Sequence, residues 1–335
     1  MMQHNKSPEW SFPQTLDQAL QDISGSHAVV VAGGTTLLDL LKLGHGSSER
    51  LIDITRLPLK WVEKRDGVIS IGSMVSNSAT AEAAVIKDHF PVLSQAILQG
   101  ASQQIRNAAT VGGNLLQATR CVYFRSTEWR CNRRDPNTGC EAVDAPTHAH
   151  AALGGSKMCI AVNPSDMAVA LLALDAAIIT TSLEGADIRM PIAELYPLPG
   201  DTPHITSNIP PGSLITSIEI PITIAARNSS YLKLRARASY EFATVSVAAT
   251  LELDAGVVTA ISVALGGIGT RPWRRKDLEH SVIGKVLTQS VIDDFCDGLL
   301  AEEHSVAETR HKVELARNAV KRVLLERAEA AYDRH

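Results

Sequence analysis

Residues 28–31, Ala28-Val29-Val30-Val31, form a β-branched run that breaks at Ala32-Gly33-Gly34-Thr35-Thr36 and passes into Leu37-Leu38-Asp39-Leu40-Leu41-Lys42. The pattern predicts a strand, a glycine turn and a helix, with Gly44 closing the helix. Further strands are expected at residues 51–54 and 67–72, where short apolar runs end at polar or glycine positions. Across 79–100 the period turns helical, with Ala84, Phe90, Leu93 and Ile97 as apolar positions. A polar, turn-rich stretch then interrupts the pattern between Asn114 and Asn163. Asn163-Pro164-Ser165-Asp166 reads as a helix start, since proline and capping side chains precede the apolar run 167–174. A Pro/Gly-rich connection over 195–212 leads to a strand at 213–220 that stops at Pro221. Strands are expected again at 245–253 and 257–264. In the tail, Val313, Ala316, Val320 and Val323 share one stripe of a helix. No repeat at solenoid periods is visible. The expected class is α+β, with one domain over residues 1–225 and a smaller α+β domain over 226–335.

Composition narrows the function. A chain of 335 residues with 45% apolar content is long enough for two or three cored domains. The run 167–174 is too short to span a bilayer and is flanked by Asp166 and Asp175, so no membrane insertion is expected. A net charge of −4, no basic block and few aromatic residues argue against nucleic acid as a partner.

The candidate chemistry lies in two glycine turns and four cysteines. Residues 33–36 lack Cβ atoms at Gly33 and Gly34, so their backbone can meet a diphosphate at the start of a helix. The turn matches neither the G-x-G-x-x-G fingerprint nor a Walker A loop, which leaves a Rossmann domain and a P-loop unsupported. A second turn, Thr110-Val111-Gly112-Gly113-Asn114, repeats the logic and adds two side-chain hydrogen-bonding groups, so one dinucleotide held between two subdomains is expected. Asp166 can bond ribose or ribityl hydroxyls, or act simply as an acid in the first turn of its helix. Immediately after the second turn comes Cys121-x9-Cys131-x8-Cys140-x18-Cys159. Few cysteines for the length and no secretory pattern at the N-terminus favour metal ligation over disulfides. Four thiolates suit a cubane or tetrahedral zinc, and the long spacers suit the larger group. Arg120, Arg125, Arg130, Arg133 and Arg134 would offset an anionic cluster, dock a neighbouring subunit, or form a solvated basic loop. His148 and His150 read as loop or surface residues, and Cys296 as an inert buried thiol. No Ser/His/Asp set, paired catalytic carboxylates or HExxH appears.

The first turn with Lys42, Ala109 to Leu115, Ser217-Ile218-Glu219-Ile220-Pro221, and the stretch from Gly266-Gly267-Ile268 to Pro272-Trp273-Arg274 together resemble the FAD-binding medium subunit of the molybdenum hydroxylases, the xanthine dehydrogenase family. The segments around Cys121, Cys131 and Cys140 look like the subtype of bacterial periplasmic aldehyde oxidoreductases whose flavin subunit carries a [4Fe–4S] cluster. The resemblance implies a two-subdomain FAD-binding fold of the PCMH/VAO-like kind, with the cysteine loop at about 115–162. It implies non-covalent FAD with its pyrophosphate on Ala32, Gly33, Gly34, Thr35 and Thr36. Thr110, Gly112, Gly113 and Asn114 would face the adenosine and ribityl portions, and Asp166 the hydroxyls. Ile215 would pack near the isoalloxazine, and Lys233 would lie by its polar edge, where a cation raises the flavin potential. Cys121, Cys131, Cys140 and Cys159 would hold the cluster, with zinc as the alternative. Implied partners are a molybdenum-cofactor large subunit and a [2Fe–2S] small subunit, which passes electrons to FAD for an external acceptor. Without a signal of its own, the chain is expected in the cytoplasm, or in the periplasm if exported with a twin-Arg-bearing partner. The rival readings are a self-sufficient flavin oxidase and a zinc-stapled nucleotide-binding scaffold.

Overall fold

The computed structural model describes residues 8–24, 28–45, 50–185, 187–301 and 307–332. Strands β1 (Glu9–Ser11), β2 (Ala28–Val31) and β3 (Arg50–Asp53) form a parallel sheet in the order β1-β3-β2. Its apolar face buries Ile52 with Ala19, Leu20 and Leu57, which anchors β2 and fixes where the turn after Val31 emerges. The helix Leu37–Lys42 follows and ends as the sequence predicts, with Gly44 at φ +80°.

A second, antiparallel sheet runs β4-β5-β8-β6-β7, formed by β4 (Val62–Arg65), β5 (Val68–Gly72), β6 (Ala177–Thr181), β7 (Asp187–Pro191) and β8 (Leu214–Pro221). Ile69, Ile71, Ile178 and Ile218 pack against Phe90, Leu93, Ala168 and Val169 in one core. The helical stretch expected over 79–100 is three helices, Asn77–Glu82, Ala84–His89 and Pro91–Leu98. Ala83 leaves the helical region at ψ 126°, and Pro91 starts the third helix because it has no N–H to give the preceding turn. Ala84, expected to face the core, is exposed, and Ile86 is buried in its place.

The third sheet is an antiparallel meander of β9 (Ser229–Leu234), β10 (Val245–Asp254) and β11 (Val257–Gly266). The β10–β11 hairpin turns through Ala255 and Gly256, both at positive φ, the backbone that two-residue hairpins demand. Strand alternation splits its faces. Tyr231, Ala248 and Ala264 join the core of the second sheet. Val247, Leu251 and Val263 pack instead on Phe295 and on Val313, Ala316, Val320 and Val323 of the helix Arg310–Tyr332, the stripe the sequence predicts. Ala152 and Leu153 from the cysteine loop belong to this last core, so the loop is docked on the C-terminal helices. Arg274 ties the same region to the helix Asp166–Ala173, donating to Leu172 O at 2.6 Å and pairing with Asp175 and Glu279.

Candidate functional site

A cleft of about 890 Å³ opens between the parallel sheet, the second sheet and the meander. Its size falls within the range of roughly 300–1,000 Å³ typical of small-molecule sites. Its walls include every candidate cofactor residue read from the sequence: residues 32–36, Thr110, Gly112, Gly113, Asn114, Asp166, Ile215 and Lys233.

The two glycine turns are built differently. In the first, Gly34 takes φ +69°, a conformation for which lack of a Cβ is an advantage. A Cβ on Gly33 would lie 2.1 Å from Ala108 O, so this glycine lets the first turn touch the chain entering the second. Among the described residues no backbone carbonyl accepts from the amides of Gly33, Gly34, Thr35 or Thr36. The second turn consumes its own amides. Val111 N donates to Val75 O and Gly112 N to Ser73 O, while Gly113 N bonds the capping Thr110 Oγ1 and Asn114 N bonds Thr110 O. The expectation that both turns offer the same anion cradle therefore gives way to a division of labour. Unsatisfied donors demand a partner, and only the first turn presents them as a group.

Asp166 and Lys233 meet. Lys233 Nζ donates to Asp166 Oδ2 at 2.7 Å and to Gln99 O at 3.2 Å, and Tyr231 OH donates to Asp166 Oδ1 at 2.6 Å. The lysine and aspartate side chains are 1% and 10% exposed, so this is a buried ion pair in the cleft wall. Burial first, and then the neighbouring Asp166 charge, push the Tyr231 phenol well above its ordinary pKa, which keeps it a donor. Asn114 is fixed through Ser165, whose Oγ donates to Asn114 Oδ1 at 2.7 Å and caps the helix Asp166–Ala173 by accepting from Ala168 N. The sequence-predicted helix start thus positions both Asn114 and Asp166.

Several lining residues escaped the sequence reading. Ser73 Oγ and Asn77 Oδ1 are buried without a partner in the cleft wall, and Arg120 reaches it from the cysteine loop. Ser73 and Asn77 stand just after β5, where nothing in the local pattern distinguishes them from core-facing polar residues. Free turn amides, orphaned polar atoms, an apolar wall at Ile215 and Ile97, and a buried lysine fit a flavin dinucleotide, which offers oxygens along its length and an apolar ring at one end.

None of the four cysteines is in a disulfide, with Cys131 and Cys159 buried and Cys121 and Cys140 half-buried. Cys131 and Cys140 face each other across an isolated antiparallel bridge. The Cys121 thiol is raised to about 11, by burial first and with smaller contributions from Cys131 and Cys159. The Cys140 thiol is raised by burial and then by Cys159. The set is gathered, yet no group of three or more His, Cys, Asp or Glu among the described residues is arranged to hold a metal ion. His150, expected as a loop or surface residue, lies in the loop but is buried, and its Nε2 lies 3.2 Å from Cys121 Sγ. Its backbone is pinned by the buried Lys312, whose Nζ donates to Ala149 O, His150 O and Gly267 O. No helix among the described residues is long and apolar enough to cross a membrane.

Comparison with known proteins identifies the family. Residues 4–223 match the FAD binding domain in molybdopterin dehydrogenase, and residues 230–327 match the CO dehydrogenase flavoprotein C-terminal domain. The chain is 42% identical over 305 residues to the aldehyde oxidoreductase FAD-binding subunit PaoB of Escherichia coli K12, covering 90% of this chain and 92% of that protein. It is 26% identical over 318 residues to the glyceraldehyde dehydrogenase medium chain of Sulfolobus acidocaldarius, covering 94% and 95%. Carbon monoxide dehydrogenase from Hydrogenophaga pseudoflava has the same fold, with a TM-score of 0.74 at 22% identity over 98% of this chain and 99% of that one. The chain belongs to the family of FAD-binding medium subunits of the molybdenum hydroxylases.

Proposed function

We propose that this flavoprotein subunit holds FAD non-covalently in the cleft, with the diphosphate on the amides of residues 33–36. That cluster of unclaimed donors, facing a cleft of about 890 Å³, is the observation that carries the assignment. In this reading Thr110, Gly112, Gly113 and Asn114 shape the wall against the adenosine and ribityl portions. Ile215 supplies the apolar surface for the isoalloxazine. Asp166 faces the hydroxyls with one side of its carboxylate held by Tyr231. Lys233 keeps a positive charge near the flavin's polar edge, and the pairing with Asp166 fixes its position. FAD bound there would store two electrons between one-electron iron–sulfur donors and an external acceptor. The electrons would come from [2Fe–2S] centres of a small subunit, after substrate oxidation at molybdenum on a large subunit. The sequence offers no Ser/His/Asp set, paired catalytic carboxylates or HExxH, which favours this relay over a self-sufficient flavin oxidase.

Cys121, Cys131, Cys140 and Cys159 are the proposed ligands of a [4Fe–4S] cluster, with zinc as the competing metal. Four cysteines on one loop, none of them in a disulfide, with Cys131 and Cys159 near enough to act on both Cys121 and Cys140, support a thiolate-bound metal. The tests are direct. Absorbance and metal analysis of the purified chain should give flavin bands and about four iron atoms per chain for one such cluster. Zinc in place of iron would replace the cluster by the tetrahedral alternative, and a chain that neither carries nor takes up FAD would sink the reading of the cleft.

A further inference from the structure

Arg120 stands between the second glycine turn and Cys121 and lines the cleft. Its Nη2 lies 3.4 Å from Thr36 Oγ1, and its Nη1 lies 3.6 Å from Asp39 Oδ2. Its guanidinium stacks on the ring of Phe242 at 5.1 Å. Stacking uses the face of the group and leaves the in-plane N–H donors for acceptors. One of them, Nε, is buried with no partner. Arg125, whose Nη1 is likewise buried and unpartnered, binds the same Asp39 carboxylate through Nη2. Two guanidinium groups thus share one carboxylate, which leaves one positive charge beside the turn that presents its free amides. The other acids on this wall are already engaged, Asp166 by Lys233 at 2.7 Å and Glu241 by Arg237 at 3.0 Å. Two other loop arginines are engaged within the loop, Arg130 with Glu141 and Arg134 with Asp135 and loop carbonyls, while Arg106 on the cleft wall donates to Gly100 O and Ala101 O.

We propose that Arg120 is a diphosphate-binding cation of the flavin cleft, so that the cysteine loop supplies part of the dinucleotide site. The inference rests on the placement of the diphosphate at residues 33–36. A species with several acceptor oxygens and more than one negative charge meets what is unfilled there: an excess positive charge, an orphaned Nε and a row of amides. A guanidinium matches phosphate oxygens through paired N–H donors in a way a neutral side chain cannot. The loop can then be ordered by the cofactor and the cofactor held by the loop.

The experiment titrates the flavin-free full chain with FAD and with ADP, which carries the diphosphate without the flavin, at low and high salt. In the unchanged protein ADP should compete with FAD, and added salt should weaken both. Arg120→Gln should bind both roughly ten- to a hundredfold more weakly, with Arg120→Lys recovering part of the loss. Asp39→Asn, which raises the local charge from one positive to two, should bind both several-fold more tightly. An Arg120→Gln chain that binds ADP like the unchanged protein overturns the proposal, whatever happens to FAD. Weaker ADP binding by Asp39→Asn overturns it too, because that result makes the arginines structural partners of Asp39. If ADP fails to compete with FAD in the unchanged protein, the placement of the diphosphate itself is wrong.

Discussion

Breaking the Asp166–Lys233 pair offers a quantitative test of the cleft wall. At 2.7 Å the two charges attract by about 6 kcal/mol at an effective dielectric constant of 20, before the desolvation of either ion is subtracted. An exposed pair would retain 0–1 kcal/mol of this. Here the side chains are 1% and 10% exposed, so removing one partner strands the other away from water. Lys233→Met should therefore destabilise the flavin-free chain by about 3–5 kcal/mol, the usual cost of an uncompensated buried charge. Asp166→Asn should cost a similar amount, because the ammonium loses its counter-charge and keeps only neutral acceptors such as Gln99 O. The double variant should lie within about 2 kcal/mol of the unchanged protein, since neutral groups of similar size replace both ions. Urea unfolding followed by circular dichroism gives the four free energies, and the cycle should return a coupling of about 3 kcal/mol or more. Additive single effects, or single losses below about 1 kcal/mol, would falsify the picture of a dry pair and place solvent between Asp166 and Lys233. The flavin content of the same four proteins reads the functional side. Both singles should purify flavin-poor, and the double should regain its stability without regaining full flavin.

Gly33→Ala should lower stability by about 1–3 kcal/mol, because its Cβ meets the Ala108 backbone, which cannot turn aside. Gly113→Ala meets only Thr110 Oγ1 at 3.0 Å and should fold within about 1 kcal/mol of the unchanged chain; thermal melts and flavin-to-protein absorbance ratios check both. Burial lowers the Lys312 pKa from 10.5 to about 8, so between these values the unfolded chain holds the proton that the folded chain has released. Its contribution to stability must then rise with pH from about 8 to 10.5, by roughly 3 kcal/mol in all. Lys312→Met should remove that part of the slope in unfolding measured at pH 7 and 9, and an unchanged slope refutes the assignment. Cys131→Ser, assembled with its partners, should lose iron and leave residues 115–162 the first segment cut by protease. The surviving flavin-loaded fraction should turn over normally per flavin if the cluster is a staple, whereas complete assembly without electron transfer identifies an obligatory relay.

The glycine turns, the Ser165-capped helix and the stripe from Val313 to Val323 were legible because each follows from a local rule of spacing or capping. The edge strands β1, β4 and β7 were not, since three to five residues with mixed polarity carry too little periodicity. The helical period over 79–100 gives no sign of the break at Ala83, because the residue itself is compatible with continuing a helix. In the site, residue identity marked the cleft walls but not how they pair. Asp166 and Lys233 are separated by 67 positions, and only the fold, which brings Lys233 of β9 beside the start of the helix Asp166–Ala173, shows that they pair. Nothing local marks His150 for burial, since Lys312, which draws its carbonyl inward, lies 162 positions later.

The cysteine loop is held from both sides, and this bears on what the loop does. At its start Arg120 and Arg125 bind Asp39, on the helix that follows the first glycine turn. Near its end Glu308 accepts from Thr147 N and Thr147 Oγ1, and Lys312 takes the carbonyls of Ala149 and His150. The loop therefore bridges the proposed diphosphate cradle and the C-terminal helix, two elements that belong to different cores. A segment so polar buries little apolar surface of its own, so ordering it draws on these anchors and on whatever its thiols bind. Each anchor is a charged group whose partner lies on another element, and loss of one leaves the others holding a longer free stretch of chain. Ordering of the loop, seating of the dinucleotide and docking of the C-terminal helix should consequently be coupled, with substitutions at Asp39 and Lys312 showing non-additive effects despite their separation in the fold.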